Sequence, residues 1–221
     1  NFQFVIMNKT AIVIGATGLV GSHLLNQLLE DDRYQKVKVF HRRSTGIEHE
    51  KLEEHIINFD DIDSWKSRLT GDELYSALGT TIKKAGSQEA QYTIDYTYQY
   101  ETAKAAAENG VNKYSLCSST GADSSSKVFY SRLKGELDDA VKKLPFEVIT
   151  IMRPSILAGE RDESRLGESI GMFFMKIFTK IPGLKKYRPI PGKTVAQGMI
   201  NSLHKCTPGY HIFELDEVFY L

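Results

Sequence analysis

Short apolar runs and amphipathic stretches alternate along most of the chain. Short, largely β-branched runs are typical of buried strands, and stretches with one apolar face are typical of helices that cover a sheet. The pattern predicts strands at Thr10–Ile14, Val37–His41, His55–Asn58, Leu74–Leu78, Lys113–Cys117 and Glu147–Met152. It predicts intervening helices at about Gly18–Glu30, Gln88–Asn109 and Phe129–Leu144. This alternation favours an α/β fold with a doubly wound parallel sheet.

The rhythm changes after Arg153-Pro154. The remaining pattern predicts a charged loop, two helices and a last strand, at Ala158–Gly167, Glu168–Lys180, Val195–Lys205 and Tyr210–Leu215. The Phe- and Met-rich Glu168–Lys180 helix is interpreted as packed on the core, with a pocket lid, a dimer face or a membrane-facing surface as alternatives. We expect one domain over residues 7–221, with 153–221 as a small substrate-side region. Residues 1–6 are interpreted as an upstream or cloning-derived extension.

The composition is that of an ordinary soluble globular protein. Of 221 residues, 41% are hydrophobic, and 28 basic residues balance 28 acidic ones, so nothing points to nucleic acid. No apolar run approaches the roughly 18 residues of a membrane span. Cys117 and Cys206 are too few for a disulfide framework, which favours a cytoplasmic location. We predict no metal site, and the sequence leaves a homo-oligomer open.

Three glycines follow the first strand and open the first helix. Gly15, Gly18 and Gly21 have the spacing G-x-x-G-x-x-G, which allows a tight turn, close approach of a pyrophosphate and close packing of helix on strand. The helix N-terminus adds free N–H groups and a positive dipole end. The loop therefore predicts a dinucleotide site of the Rossmann type, with candidate contacts at Gly15, Thr17, Gly18, Leu19, Val20 and Gly21.

Basic residues stand at the end of the second strand, where an acidic residue would bind the ribose of NAD. Arg42 and Arg43 could instead hold a 2′-phosphate through charge-assisted hydrogen bonds. They predict NADP(H) as the cofactor. After the third strand, either Asn58 or Asp60 could face the adenine.

Tyr130 and Lys134 lie four residues apart on a predicted helix and so share one face. A nearby ammonium favours the phenolate, which suits a tyrosine for proton transfer beside a nicotinamide. Two other pairs have this spacing, Tyr34/Lys38 and Tyr100/Lys104. Only Tyr130 follows the carboxyl end of the fifth strand, where Ser118 could orient a substrate oxygen.

Several motifs recur in a familiar order. They are Gly15–Gly21 (GATGLVG), Leu78–Thr81 (LGTT), Ser118–Asp123 (SSTGAD), Tyr130-x-x-x-Lys134-Gly-Glu and Arg153-Pro154. From about Lys9 to Arg165 the chain resembles the atypical short-chain dehydrogenase/reductases, and most closely the Tat-interacting-protein-like oxidoreductase family. The resemblance implies an NADP(H) site at Thr17, Gly18, Arg42, Arg43, Leu78, Gly79, Tyr130, Lys134, Leu157 and Arg165. Extended dehydrogenases commonly carry an Asn near the start of the long helix, where this chain has Asp95.

Three functions compete. The favoured one is an NADP(H)-dependent oxidoreductase that acts on a small carbonyl or alcohol through Ser118, Tyr130 and Lys134. The second is a non-catalytic, NADP(H)-binding redox sensor that regulates a protein partner. The third is a nucleotide-sugar epimerase or dehydratase, which the short substrate-side region disfavours.

Overall fold

The strands of the protein form one large and one small sheet. The computed structural model describes residues 8–155, 157–158 and 188–221, and all bounds below refer to them. The strands are β1 (Lys9–Ile14), β2 (Tyr34–His41), β3 (Leu52–Ile56), β4 (Glu73–Ser76), β5 (Lys113–Cys117), β6 (Val148–Arg153), β7 (Leu157–Ala158), β8 (Ile190–Pro191) and β9 (Gly209–Glu214). The large sheet has the order β3-β2-β1-β4-β5-β6-β9, and β7 pairs with β8.

Every pair of neighbouring strands in the large sheet is parallel. The chain moves outward from β1 in one direction through β2 and β3. It then returns to the other side of β1 with β4 and continues to β9. The doubly wound parallel fold is therefore confirmed. The reversal of strand order between β1 and β4 is the place where such sheets bind ligands, at the carboxyl ends of the strands.

Helices cover both faces of this sheet. They are α1 (Leu19–Glu30), α2 (Ile82–Ala85), α3 (Gln88–Tyr92), α4 (Tyr98–Glu108), α5 (Phe129–Val141) and α6 (Gly192–Lys205). One core contains Leu24 and Leu28 of α1 with Met199 of α6. The other contains Ala103 of α4 and Leu137 of α5. The apolar stripes of these helices thus bury the two faces of the sheet separately.

Two predicted elements differ from the sequence pattern in an informative way. The third strand was expected at His55–Asn58 but runs from Leu52 to Ile56, because at the sheet edge its Glu53 and Glu54 obscure the apolar alternation. The long helix predicted at Gln88–Asn109 consists of α3, a π-helical turn at Thr93–Thr97 and α4. The helix predicted at Glu168–Lys180 lies outside the described residues, as do residues 1–6 and Arg165.

Candidate functional site

The loop between β1 and α1 uses its three glycines for different purposes. Gly15 has a φ of +81°, and a Cβ there would overlap the backbone of Ala77 and Leu78. A Cβ on Gly21 would overlap the carbonyl oxygen of Gly15. Packing therefore requires these two glycines. At Gly18 an added Cβ would lie 3.3 Å from the Gly15 carbonyl oxygen, a tight contact but not an overlap, so packing restricts Gly18 less than the other two glycines.

Two cavities lie at the carboxyl ends of the strands, one on each side of this loop. The larger has a volume of about 470 Å³ and the smaller about 320 Å³. Gly18, Leu19 and Val20 line the larger cavity, Gly15 and Thr17 line the smaller, and Leu78 lines both. A molecule that fills both must pass over the N-terminus of α1, whose first N–H groups have no acceptor within the helix.

The smaller cavity collects the residues predicted for the adenosine half of a dinucleotide. Arg42 and Arg43 are exposed and line it at the end of β2. Phe59 also lines it, and sequence reasoning passed over this residue. Asn58 is absent from the described lining of this cavity, and its side-chain oxygen accepts the Asp60 N–H at 3.1 Å. The Asp60 carboxylate accepts the Tyr98 hydroxyl at 2.5 Å.

The larger cavity brings together Ser118, Tyr130 and Lys134, with Gly79 and Leu157 in its wall. Ser118 follows β5, while Tyr130 and Lys134 lie on consecutive turns of α5. Tyr130 is 42% exposed, whereas Ser118 is buried and its hydroxyl lies beside the Asp138 carboxylate. A serine hydroxyl both donates and accepts, so one that donates to a carboxylate can still accept a hydrogen bond from a ligand.

The other two Tyr–Lys pairs lie elsewhere. Tyr34 begins β2 at the opposite end of the sheet, where its hydroxyl donates to Glu73 at 2.5 Å. Tyr100 lies within α4 and stacks on Tyr96. Neither tyrosine lines the two cavities of the described residues. Position relative to the strand ends, rather than spacing, distinguishes the Tyr130 pair.

Lys134 has a buried counter-ion in Asp95. Its Nζ lies 3.5 Å from one Asp95 oxygen, and the other oxygen accepts the Thr80 N–H at 2.8 Å. Burial alone would lower the pKa of Lys134, but the Asp95 carboxylate and the Tyr130 phenol oppose this and raise it above its usual value. Asp95 lies in the π-helical turn, the kind of helical irregularity that often marks functional sites. The ammonium is therefore held charged within the cavity wall.

Asp138 is a buried acidic residue that sequence reasoning missed. It lies one helical turn beyond Lys134 and accepts the Arg153 Nε at 2.9 Å, while Arg153 also contacts Glu214 at 2.7 Å. Burial raises the pKa of Asp138, and the nearby Ser118 hydroxyl opposes this. The i, i+4 spacing of Lys134 and Asp138 was the available signal. A chain of charged groups thus runs from Glu214 through Arg153 to Asp138, which lies behind Ser118 in the wall of the larger cavity.

A family model described as NAD(P)H-binding matches residues 15–204. The chain belongs to this family. The match spans the glycine loop and both cavities, so the expected dinucleotide-binding class is confirmed at the level of NAD(P)H. Among the described residues, no helix has the length and apolar character needed to cross a membrane.

Curated relatives cover most of the chain. Protein fmp52, mitochondrial, from Aspergillus niger is 37% identical over 207 residues, which are 89% of this chain and 88% of that protein. Protein HTATIP2 from Rattus norvegicus is 32% identical over 220 residues, 97% of this chain and 88% of that protein. These relatives confirm the resemblance to the Tat-interacting-protein-like family.

The predicted cytoplasmic location is wrong by these comparisons. The relatives from Aspergillus niger and Candida albicans, the latter 39% identical over 167 residues, are both named mitochondrial. Two cysteines are too few for a disulfide framework. A low cysteine count does not distinguish one reducing compartment from another. It was therefore not sufficient to predict the cytoplasm.

Solved structures with the same fold are more distant in sequence. A short-chain dehydrogenase/reductase superfamily protein from Agrobacterium tumefaciens, with bound NAD, has a TM-score of 0.71 at 14% identity, covering 93% of this chain and 77% of that one. UDP-N-acetylglucosamine 4-epimerase from Methanobrevibacter ruminantium has a TM-score of 0.70 at 16% identity, covering 96% and 80%. At these identities the likeness shows the fold alone.

Proposed function

We propose that this NAD(P)H-binding protein is an NADP(H)-dependent oxidoreductase that interconverts a small carbonyl compound and its alcohol. The observation that carries the proposal is the convergence of Ser118, Tyr130 and Lys134 on the cavity that Gly18 opens. A cavity with a few convergent polar groups beside a dinucleotide loop is the arrangement that such chemistry requires.

The residues of both cavities fit a phosphorylated dinucleotide. The cavity that Gly18 lines and the N-terminus of α1 suit a pyrophosphate. Arg42 and Arg43 offer two exposed guanidinium groups at the smaller cavity, whose described lining contains no acidic side chain. This charge pattern supports NADP(H) over NAD(H), because a 2′-phosphate needs cations where an NAD site has a carboxylate.

The side chains of the larger cavity have distinct roles in the proposal. When bound, the nicotinamide supplies or accepts the hydride. The Tyr130 hydroxyl, accessible from the cavity, donates its proton to the carbonyl oxygen during reduction. The Lys134 ammonium stabilises the phenolate that this leaves, and the Ser118 hydroxyl orients the substrate oxygen.

A second candidate is a non-catalytic, NADP(H)-binding sensor that regulates a protein partner. The position of the Lys134 ammonium supports the sensor. Its Nζ lies 3.5 Å from the Asp95 carboxylate but 5.8 Å from the centre of the Tyr130 ring. Part of its charge is thus compensated away from the phenol. We also propose the mitochondrion as the compartment, on the names of the fungal relatives.

Replacing Tyr130 by Phe tests the proposed chemistry. The variant lacks only a hydroxyl, so NADPH affinity should change by less than about twofold. Turnover should fall about 10²–10⁴-fold, the usual contribution of general acid–base catalysis. NADPH oxidation is followed with a panel of aldehydes, ketones and quinones, and affinity by calorimetry.

Tyr100→Phe is the matched control. Full activity in Tyr130→Phe would contradict the proposed role, and wild-type NADPH binding with no turnover on any substrate would favour the sensor.

A further inference from the structure

The segment that carries Arg42 and Arg43 is braced by a residue from the neighbouring strand. Glu54 of β3 pairs in register with Val39 of β2. Side chains two residues apart on a strand share a face, so Glu54 reaches the same side of the sheet as His41. The strand β2 ends at His41, immediately before the two arginines.

The Glu54 carboxylate contacts both flanks of the arginine pair. On the far side, Ser44 Oγ donates to one oxygen at 2.7 Å, and the Thr45 N–H donates to the other at 2.8 Å. Thr45 Oγ1 also donates to that second oxygen at 2.5 Å. On the near side, the His41 Nε2 lies 3.3 Å from it without forming a hydrogen bond, and burial lowers the pKa of His41, so this contact is one of packing. Glu54 is therefore hydrogen-bonded to the residues after Arg42-Arg43 and packed against the residue before them.

The negative charge of Glu54 is engaged by this segment. Burial acts against the charged form, but the Ser44 and Thr45 donors outweigh it and lower the pKa of Glu54 below its usual value. Glu54 is absent from the described lining of the smaller cavity, whereas Ser44 and both arginines belong to it. The carboxylate therefore shapes the wall of the cavity from behind.

We propose that Glu54 is a positioning residue that determines cofactor specificity, by holding residues 41–45 in the conformation that presents Arg42 and Arg43 to a 2′-phosphate. This inference rests on the proposed preference for NADP(H). A segment that is fixed before binding loses less conformational freedom when the phosphate arrives. Without the brace, the same two arginines remain present but must be ordered by the ligand.

The test compares two replacements at Glu54. Glu54→Ala removes the acceptors, while Glu54→Gln removes the charge but keeps an oxygen that can accept both Thr45 donors. Glu53→Gln is the matched control, because Glu53 is adjacent on β3 but pairs with Lys36 at 2.7 Å. Affinities for NADPH and NADH are measured by calorimetry on each folded variant, and thermal unfolding checks the fold.

Glu54→Ala should reduce the NADPH-to-NADH preference roughly three- to tenfold, the cost of ordering one or two mobile side chains, with NADH affinity unchanged. Glu54→Gln and Glu53→Gln should keep most of the preference. An unchanged preference in Glu54→Ala would overturn the inference, because Glu54 would then have no effect on specificity. An increased preference would also overturn it, because the carboxylate would then only repel the phosphate. Equal losses for NADPH and NADH would also overturn it. A wild-type protein without any NADPH preference would instead refute the proposed cofactor.

Discussion

Polar side chains are accessible at one end of the central sheet and hydrogen-bonded to one another at the other. We call the carboxyl ends of the strands the open end and the amino ends the closed end. At the carboxyl ends of the strands, Arg42 and Arg43 are exposed, and Tyr130 is 42% exposed and lines the larger cavity. At the amino ends, the buried Glu73 carboxylate accepts hydrogen bonds from three side chains. Polar groups that satisfy one another hold a fold together, and those left open are available to a ligand.

The closed end is a network around Glu73. Lys9 Nζ donates to one Glu73 oxygen at 2.7 Å, and the hydroxyls of Tyr34 and Tyr75 donate to the other at 2.5 and 2.8 Å. His204 of α6 joins them through Tyr34, at 3.0 Å. Burial and the Glu73 charge raise the pKa of Tyr34 far above its usual value. These tyrosines are therefore fixed hydrogen-bond donors, in contrast to the accessible Tyr130.

The largest expected effect is the loss of NADPH affinity when a side chain is added to the glycine loop at the open end. Gly18→Val places a branched side chain in the space in front of the loop, where a pyrophosphate would lie. NADPH affinity should fall roughly 100-fold or more, about 2.7 kcal/mol or more, while the free energy of unfolding changes little. Calorimetry and urea unfolding measure the two quantities. Ser22→Val, on the exposed face of α1, is the control. Normal NADPH binding by Gly18→Val would mean that the loop is a structural turn.

A change at the closed end should lower stability and leave NADPH affinity unchanged, the reverse of the effect expected for Gly18→Val. Glu73→Gln leaves the Lys9 ammonium without a counter-charge and presents an amide nitrogen to groups that now donate. We expect the free energy of unfolding to fall by about 2–4 kcal/mol, with NADPH affinity of the folded protein unchanged. Glu53→Gln, which breaks a more exposed ion pair, should cost less than about 1 kcal/mol. If Glu73→Gln weakened NADPH binding as strongly as stability, the two ends would not be independent.

The smallest effect concerns pH. Burial and the neighbouring Lys9 lower the pKa of His204 to about 4, against the pull of Glu73. Lys9 Nζ lies 3.2 Å from its Nδ1, which therefore accepts and resists a proton. The unfolded chain binds this proton below about pH 6.5, whereas the folded chain binds it only below about pH 4.

The stability from His204 is therefore complete above pH 6.5 and is lost as pH falls toward 4. Urea unfolding should show a decrease of about 1–3 kcal/mol from this residue over that window. His204→Gln should flatten this part of the profile, while His41 and His55 keep their own contributions. An identical slope in His204→Gln would show that the imidazole of the native protein is already free to take up a proton.

The sequence predicted the parts of the site that are local in the chain. The glycine loop and the Tyr130–Lys134 pair depend on spacing within one turn or one helix, and that spacing is visible in the sequence. Glu54, by contrast, acts through strand register, because its partners lie about ten positions earlier. Asp138 meets Arg153 only after β6 is placed beside β5. No periodicity encodes either contact.

The π-helical turn that contains Asp95 makes the length of this part of the chain matter as much as its composition. Such a turn contains one residue more than a regular helix, and each residue rotates a helix by about 100°. Removing one residue between Thr93 and Thr97 would restore the ordinary phase and turn α3 relative to α4. Asp95 could then no longer meet both Lys134 and the Thr80 N–H. In evolutionary terms, a deletion here is a functional mutation even when every remaining side chain is unchanged.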